Sequence, residues 1–100
     1  MHKVAYNACF GGFGLSDEAM HWLTSHGIYD KYPDIEMLED LPRHEPLLIQ
    51  CIEELGEDVN NNISLNKIRI KEIDSDMYYI EELCGNEAVI TPKDMIKIEQ

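Results

Sequence analysis

Residues 11–14 read GGFG, and this short loop could bind an anionic ligand through its main chain. The glycines remove side-chain bulk, so that a ligand can touch backbone N–H groups directly. Phe10 and Phe13 flank the glycines, and their rings could stack on a nucleotide base. The same residues also suit a tight corner with both phenylalanines in the core, which is the commoner use of glycine at a turn.

The glycine loop resembles neither of the common phosphate-binding motifs. No Lys-Ser/Thr pair follows it, and the spacing is not GxGxxG. Asp17 and Glu18 begin the helix that follows, and at 4 Å each would repel a phosphate by about 4 kcal/mol. The repulsion argues against an anion at the helix dipole and leaves the N–H groups of residues 11–13 as the place where this loop could bind one.

Arg43 and His44 form a second candidate for anion binding. Arg43 is one of only two arginines in an acidic chain, and arginine is the usual bidentate partner of phosphate. The alternative is a surface salt bridge with a neighbouring acid, which would contribute little to stability. The sequence leaves both interpretations open.

Lys67, Arg69 and Lys71 alternate along a predicted strand and therefore share one face. This basic face could bind an anion. It could also pair across a hairpin with Glu81 and Glu82, which requires no ligand and is the favoured interpretation.

The residues that could catalyse a reaction form no readable motif. The three cysteines form no CxxC pair. Among the four histidines, His21 and His26 are five residues apart, whereas a helical metal pair needs a spacing of four. No nucleophile–base arrangement is legible, although such groups meet in space and not in sequence. We therefore predict no catalytic residue, no metal site and no cofactor.

The composition narrows the classes of partner. The 100 residues, 44% of them hydrophobic, predict a single domain over 1–100. Twenty acidic and eight basic residues give a net charge of −12, which argues against nucleic acids and anionic membranes as partners. The odd cysteine count indicates a reduced protein, and no signal peptide or membrane-spanning run is visible, so a cytoplasmic location is expected.

The first half of the chain must position the glycine loop. Alternation of apolar residues predicts a strand over 3–10, and Ser16 is a good N-cap for a helix ending near His26, before Gly27. Residues 28–45 form a long connection without sustained periodicity. Within it, 35–41 is expected to make a helical turn that buries two leucines.

The second half predicts one helix and a hairpin-rich sheet. Pro46 begins the helix and Gly56 ends it. Strands are expected over 63–73, 77–84 and 87–91, joined by turns at 74–76 and 85–86, and a short helical turn follows Thr91. The predicted fold is α+β: a four-stranded, largely antiparallel sheet with two helices packed on one face. Its other face would be uncovered, which favours a homo-oligomer.

Three stretches together carry a resemblance to a known family: YNACFGGFGLSDEA, RHEPLLIQCIEELGE and YYIEELCGNEAVITP. They resemble a widespread family of small phage and prophage proteins, and within it the Thoeris anti-defence proteins. Those proteins bind cyclic ADP-ribose signals made by host TIR enzymes and sequester them without cleavage, as homo-oligomers with pockets at subunit interfaces.

The resemblance implies a non-catalytic nucleotide sponge in the host cytoplasm. Such a protein needs N–H donors, a guanidinium and aromatic surfaces, but no general base. The residues expected to bind the nucleotide are Asn7, Phe10, Gly11, Gly12, Phe13, Arg43 and His44. Two alternatives remain open: an acidic inhibitor that contacts a host enzyme directly, and a hydrolase of cyclic nucleotides.

Overall fold

A computed structural model describes residues 2–61 and 66–96 of the chain. It contains four strands, four helices and two 3-10 turns, at Leu38–Asp40 and Gly56–Val59. The strands are β1 (His2–Asn7), β2 (Ile68–Ile73), β3 (Tyr79–Leu83) and β4 (Asn86–Ile90). The helices are α1 (Asp17–Ser25), α2 (Ile28–Lys31), α3 (Pro46–Leu55) and α4 (Pro92–Ile96). The predicted strand start at residue 63 and the residues after 96 lie outside the described residues.

The two longer helices begin and end at the predicted signals. The Ser16 hydroxyl accepts a hydrogen bond of 3.1 Å from the N–H of Ala19, which caps α1. Pro46 occupies the first turn of α3, where its missing N–H breaks no helical hydrogen bond. Gly27 and Gly56 follow the ends of α1 and α3 with positive φ angles of 84° and 57°.

The predicted α+β class is confirmed, but the strands pair differently from the prediction. β1 pairs with β2 and β3 pairs with β4, both antiparallel, so the described residues form two two-stranded sheets. A single four-stranded sheet is not seen among them. Along the other edge of β1, the Ala5 N–H donates to the Arg43 carbonyl at 2.8 Å and the Asn7 N–H donates to a Glu87 carboxylate oxygen at 2.9 Å. These acceptors occupy the N–H groups that a third strand would need.

The two faces of the β1–β2 ribbon contact different layers. Ala5 and Ile68 belong to the main core, together with buried residues of α1 and α3. On the opposite face, Val4 and Ile73 pack against Val89 of the β3–β4 hairpin. The sheet face that was expected to be uncovered is therefore covered by the chain's own hairpin, and homo-oligomerisation stays a prediction.

The connection between α1 and α3 contains more regular structure than the sequence indicates. It begins with the one-turn helix α2 and includes the 3-10 turn at Leu38–Asp40. Leu38 and Leu41 are buried in the main core, as predicted for this segment. Within residues 2–61 and 66–96, no helix combines the length and the apolar composition that crossing a membrane requires.

Candidate functional site

The chain leaves β1 at Asn7, earlier than the predicted strand end at Phe10. The Asn7 side chain is fully buried, and its amide group donates to the carbonyl of Cys9 at 2.6 Å and to that of Gly85 at 2.7 Å. Its side-chain oxygen accepts from the N–H of Lys67 at 2.8 Å. Asn7 therefore fixes the start of the glycine loop against two other segments, and within the described chain its hydrogen-bonding groups already have partners.

The glycine loop packs directly against the β3–β4 turn. Cys84 and Gly85 have φ angles of 54° and 86°, the positive pair of a two-residue type I′ hairpin, so the connector is 84–85 and not the predicted 85–86. A Cβ atom on Gly85 would lie 2.5 Å from the Gly12 nitrogen and 2.8 Å from the Gly11 nitrogen. Glycine is needed here for close approach of two backbone segments.

Arg43 forms a bidentate ion pair with Glu87, next to the hairpin turn in the sequence of β4. Its Nη1 and Nη2 atoms are 2.5 and 3.0 Å from the two Glu87 carboxylate oxygens. The side chains are 18% and 5% exposed, so both charges are largely removed from water. The guanidinium carbon also lies 3.7 Å from the ring centroid of Phe13, a cation–π contact.

Glu87 accepts from both Arg43 and the Asn7 N–H, and so connects three segments of the chain. A buried carboxylate without such partners would be strongly destabilising, so the three groups depend on one another. The site residues Asn7, Phe13 and Arg43 thus meet around Glu87 and the hairpin turn. Gly11 and Gly12 lie against the same turn.

Two features of the loop could contact a ligand. The Phe10 side chain is 57% exposed, in contrast to Phe13, which packs against the main core. Within residues 2–61 and 66–96, the main-chain N–H groups of Gly11 and Phe13 have no hydrogen-bond acceptor. An exposed ring and unpaired donors are the groups that a nucleotide base and a phosphate would use.

His44 lines a cavity whose walls do not include Arg43. Its Nδ1 shares a 2.7 Å hydrogen bond with the Tyr78 hydroxyl, and both side chains line a cavity of about 230 Å³ with His2 and Asp76. Burial raises the pKa of Tyr78, although Arg43 and His44 act in the opposite direction. Among the described residues, His44 therefore pairs with Tyr78, while Arg43 pairs with Glu87.

The other candidate groups do not join this site. Arg69 pairs with Glu57 at 3.2 Å, and the Lys71 ammonium donates to the Val89 carbonyl at 3.1 Å, so neither makes the predicted pair with Glu81 or Glu82. The reason is topological, because β2 pairs with β1. Among the described residues, no group of three or more His, Cys, Asp or Glu side chains is arranged to hold a metal ion.

A cavity with a mainly acidic lining lies around the start of α1. It measures about 520 Å³. Five carboxylate side chains line it: Asp17, Glu18, Glu39, Glu57 and Asp58. This acidic groove would repel a phosphate and attract a cationic group.

Sequence reasoning missed Glu87 and Gly85, the two hairpin residues on which the site is built. Both lie within YYIEELCGNEAVITP, the third of the stretches on which the expected resemblance is based. That stretch was the signal that could have pointed to them. The chain matches no protein-family model, and comparisons with curated proteins and with solved structures also give no match. The function must therefore be inferred from the geometry of the chain itself.

Proposed function

We propose that the protein binds a small nucleotide signal of the cyclic ADP-ribose type and sequesters it without cleavage. The observation that carries this proposal is the Arg43 guanidinium, which stacks 3.7 Å above Phe13 beside the unpaired N–H groups of the glycine loop. Convergence of the three resembling stretches around Glu87 supports it, because Asn7, Arg43 and Glu87 come from one stretch each.

The pyrophosphate would bind between Arg43 and the glycine loop. A guanidinium has five N–H donors, and Glu87 accepts one hydrogen bond from each of its two terminal nitrogens. The remaining donors and the N–H groups of Gly11 and Phe13 can bind phosphate oxygens. Glu87 then holds the guanidinium in one orientation, which reduces the entropy lost on binding.

The base would stack on Phe10, whose ring is mostly exposed at the edge of the same loop. Stacking on an aromatic side chain contributes about 1–3 kcal/mol per base. Sequestration needs these donors and surfaces but no general base, so it makes fewer demands on the site than hydrolysis. We expect the protein to act in the host cytoplasm, where such signals are made.

Calorimetric titration with cyclic ADP-ribose and its isomers tests the proposal. Removing the ring in Phe10→Ala should weaken binding by about 5- to 150-fold, the equivalent of about 1–3 kcal/mol. Tyr29→Ala is the matched control, because Tyr29 is another exposed aromatic residue and should leave affinity unchanged. Arg43→Ala should weaken binding by about 2–5 kcal/mol, whereas Arg69→Ala should not.

Circular dichroism of each variant separates lost binding from lost folding, since Arg43→Ala leaves Glu87 without its partner. Heat denaturation of the complex should release the nucleotide intact, and a cleaved product would instead indicate a hydrolase. The proposal is wrong if no isomer gives binding heat, or if folded Phe10→Ala and Arg43→Ala both keep wild-type affinity.

A second function, inhibition of a host enzyme by direct contact, is favoured by one observation. The acidic groove at the start of α1 has five carboxylates around a single cavity. Such a surface is opposite in charge to the basic groove of a nucleic-acid enzyme. Affinity capture from host extract that yields a protein and no small molecule would support this function over the sponge.

A further inference from the structure

Strand β3 has one paired edge and one edge that no described strand covers. Its partner on the paired side is β4. Leu83 and Asn86 flank the two-residue turn and form a hydrogen-bonded pair. From there along the two strands, non-hydrogen-bonded and hydrogen-bonded residue pairs alternate. Ile80 and Glu82 therefore direct their N–H and C=O groups away from β4. Within residues 2–61 and 66–96, those groups have no hydrogen-bond partner.

The side chains beside this edge combine apolar surface with negative charge. Tyr79 is 49% exposed and Leu83 is 75% exposed, and alternation puts both on the same face of β3 as Glu81. Glu81 and Glu82 are exposed and make no ion pair within the described part of the chain. An unpaired edge with exposed apolar residues is a template for another strand.

We propose that the free edge of β3 binds an extended, cationic segment of a partner protein by strand addition. The segment's backbone pairs with Ile80 and Glu82. Lys or Arg residues lie opposite Glu81 and Glu82, and apolar residues lie opposite Tyr79 and Leu83. This surface is distinct from the Arg43 site, so the inference does not depend on nucleotide binding.

A second copy of the chain is a poorer occupant than a cationic segment. The antiparallel register that pairs all of β3 with itself sets Glu81 opposite Glu81, and like charges directly opposite are destabilising. Each copy also carries a net charge of −12. A lysine- or arginine-containing segment turns the same two carboxylates into favourable partners.

Titration of the ¹⁵N-labelled full chain with a synthetic peptide tests this inference. The probe is an acetylated and amidated heptapeptide with a valine–lysine–lysine–threonine–valine core. We expect its addition to shift the amide resonances of Ile80 and Glu82 and to slow their hydrogen exchange. A control peptide with glutamates in place of the lysines should bind about tenfold more weakly or worse.

Three variants separate backbone pairing from charge. Glu82→Pro removes an N–H that points away from β4, so it should abolish peptide binding and leave the hairpin intact, whereas Glu82→Gln removes only the charge and should weaken binding without abolishing it. Glu81→Lys should weaken binding of the lysine peptide and improve binding of the glutamate peptide. Glu36→Lys makes the same change in net charge on an exposed loop residue and should do neither.

Three outcomes would overturn the inference. They are resonance shifts confined to residues outside β3, a charge preference that Glu81→Lys leaves unchanged, and self-association of the free chain that Glu82→Pro abolishes. The last outcome would assign the edge to a second copy.

Discussion

Glu45 shows how one buried carboxylate can join two segments of the chain. It is 1% exposed and caps α3 by accepting from the Leu47 N–H. It also accepts from the Tyr32 hydroxyl at 3.2 Å and forms an ion pair with Lys31. Burial alone would raise its pKa, but the hydrogen bonds from Lys31, Leu47 and Tyr32 outweigh burial and lower it.

The lowered pKa makes Glu45 a source of acid sensitivity. A group whose folded pKa lies below its unfolded value, about 4.3 for glutamate, stabilises the fold above that pH and loses its effect as pH falls through the folded pKa. Urea unfolding should show Glu45→Gln to be less stable than wild type by about 1–3 kcal/mol at neutral pH. The difference should shrink as pH falls from the unfolded value through the lowered folded pKa, because Glu45 of the folded wild type then binds a proton.

Glu54→Gln is the control for this pH profile, since Glu54 is exposed on the same helix. It should change the free energy of unfolding by less than about 0.5 kcal/mol. It should also keep the wild-type dependence of that free energy on pH. If the free energy of unfolding of Glu45→Gln also depends on pH as in wild type, Glu45 does not contribute to acid sensitivity.

At the scale of elements, the parts that were predictable have local signals. Ser16 and Pro46 each mark a helix start through chemistry within one turn, so the sequence alone identifies them. Strand partners have no such signal. Whether β2 pairs with β1 or β3 depends on residues far apart in sequence, among them the Glu87 carboxylate on the edge of β1. Arg43 was identified from its own residue type, but its partner Glu87 is 44 residues away and had no local signal.

The contact between the glycine loop and the hairpin turn predicts unequal effects of two similar substitutions. Gly12 and Gly85 both have positive φ, near 83° and 86°, so alanine at either position costs about 1–2 kcal/mol in backbone strain. A Cβ on Gly12 would meet nothing within 4 Å, whereas one on Gly85 would overlap the Gly12 nitrogen. Gly85→Ala should therefore destabilise the fold by about 1–3 kcal/mol more than Gly12→Ala.

Chemical denaturation of the two alanine variants measures this difference, with Gly12→Ala as the matched control for strain. Equal losses of stability would mean that the loop and the turn are not in close contact. A larger loss in Gly12→Ala would contradict the arrangement outright.

At the scale of the whole molecule, charge is distributed unevenly. The chain has twenty acidic residues and eight basic ones. Within the described chain, the basic residues Lys3, Lys31, Arg43 and Arg69 each pair with a carboxylate. The acidic groove is left with several neighbouring carboxylates, of which Glu57 contacts Arg69. Self-repulsion should therefore destabilise the folded state, most of all around the groove.

This charge distribution predicts that salt stabilises the fold. The molecule measures 47 × 27 × 24 Å, and the screening length falls from about 30 Å at 0.01 M salt to about 8 Å at 0.15 M. Repulsion across the molecule is then screened, and each 1 kcal/mol gained should raise the melting temperature by about 4–8 °C. Asp58→Asn removes a groove charge and should reduce this salt dependence more than Asp34→Asn, an exposed residue outside the groove. A melting temperature that falls with added sodium chloride would mean that exposed ion pairs such as Lys3–Glu53 outweigh the repulsion.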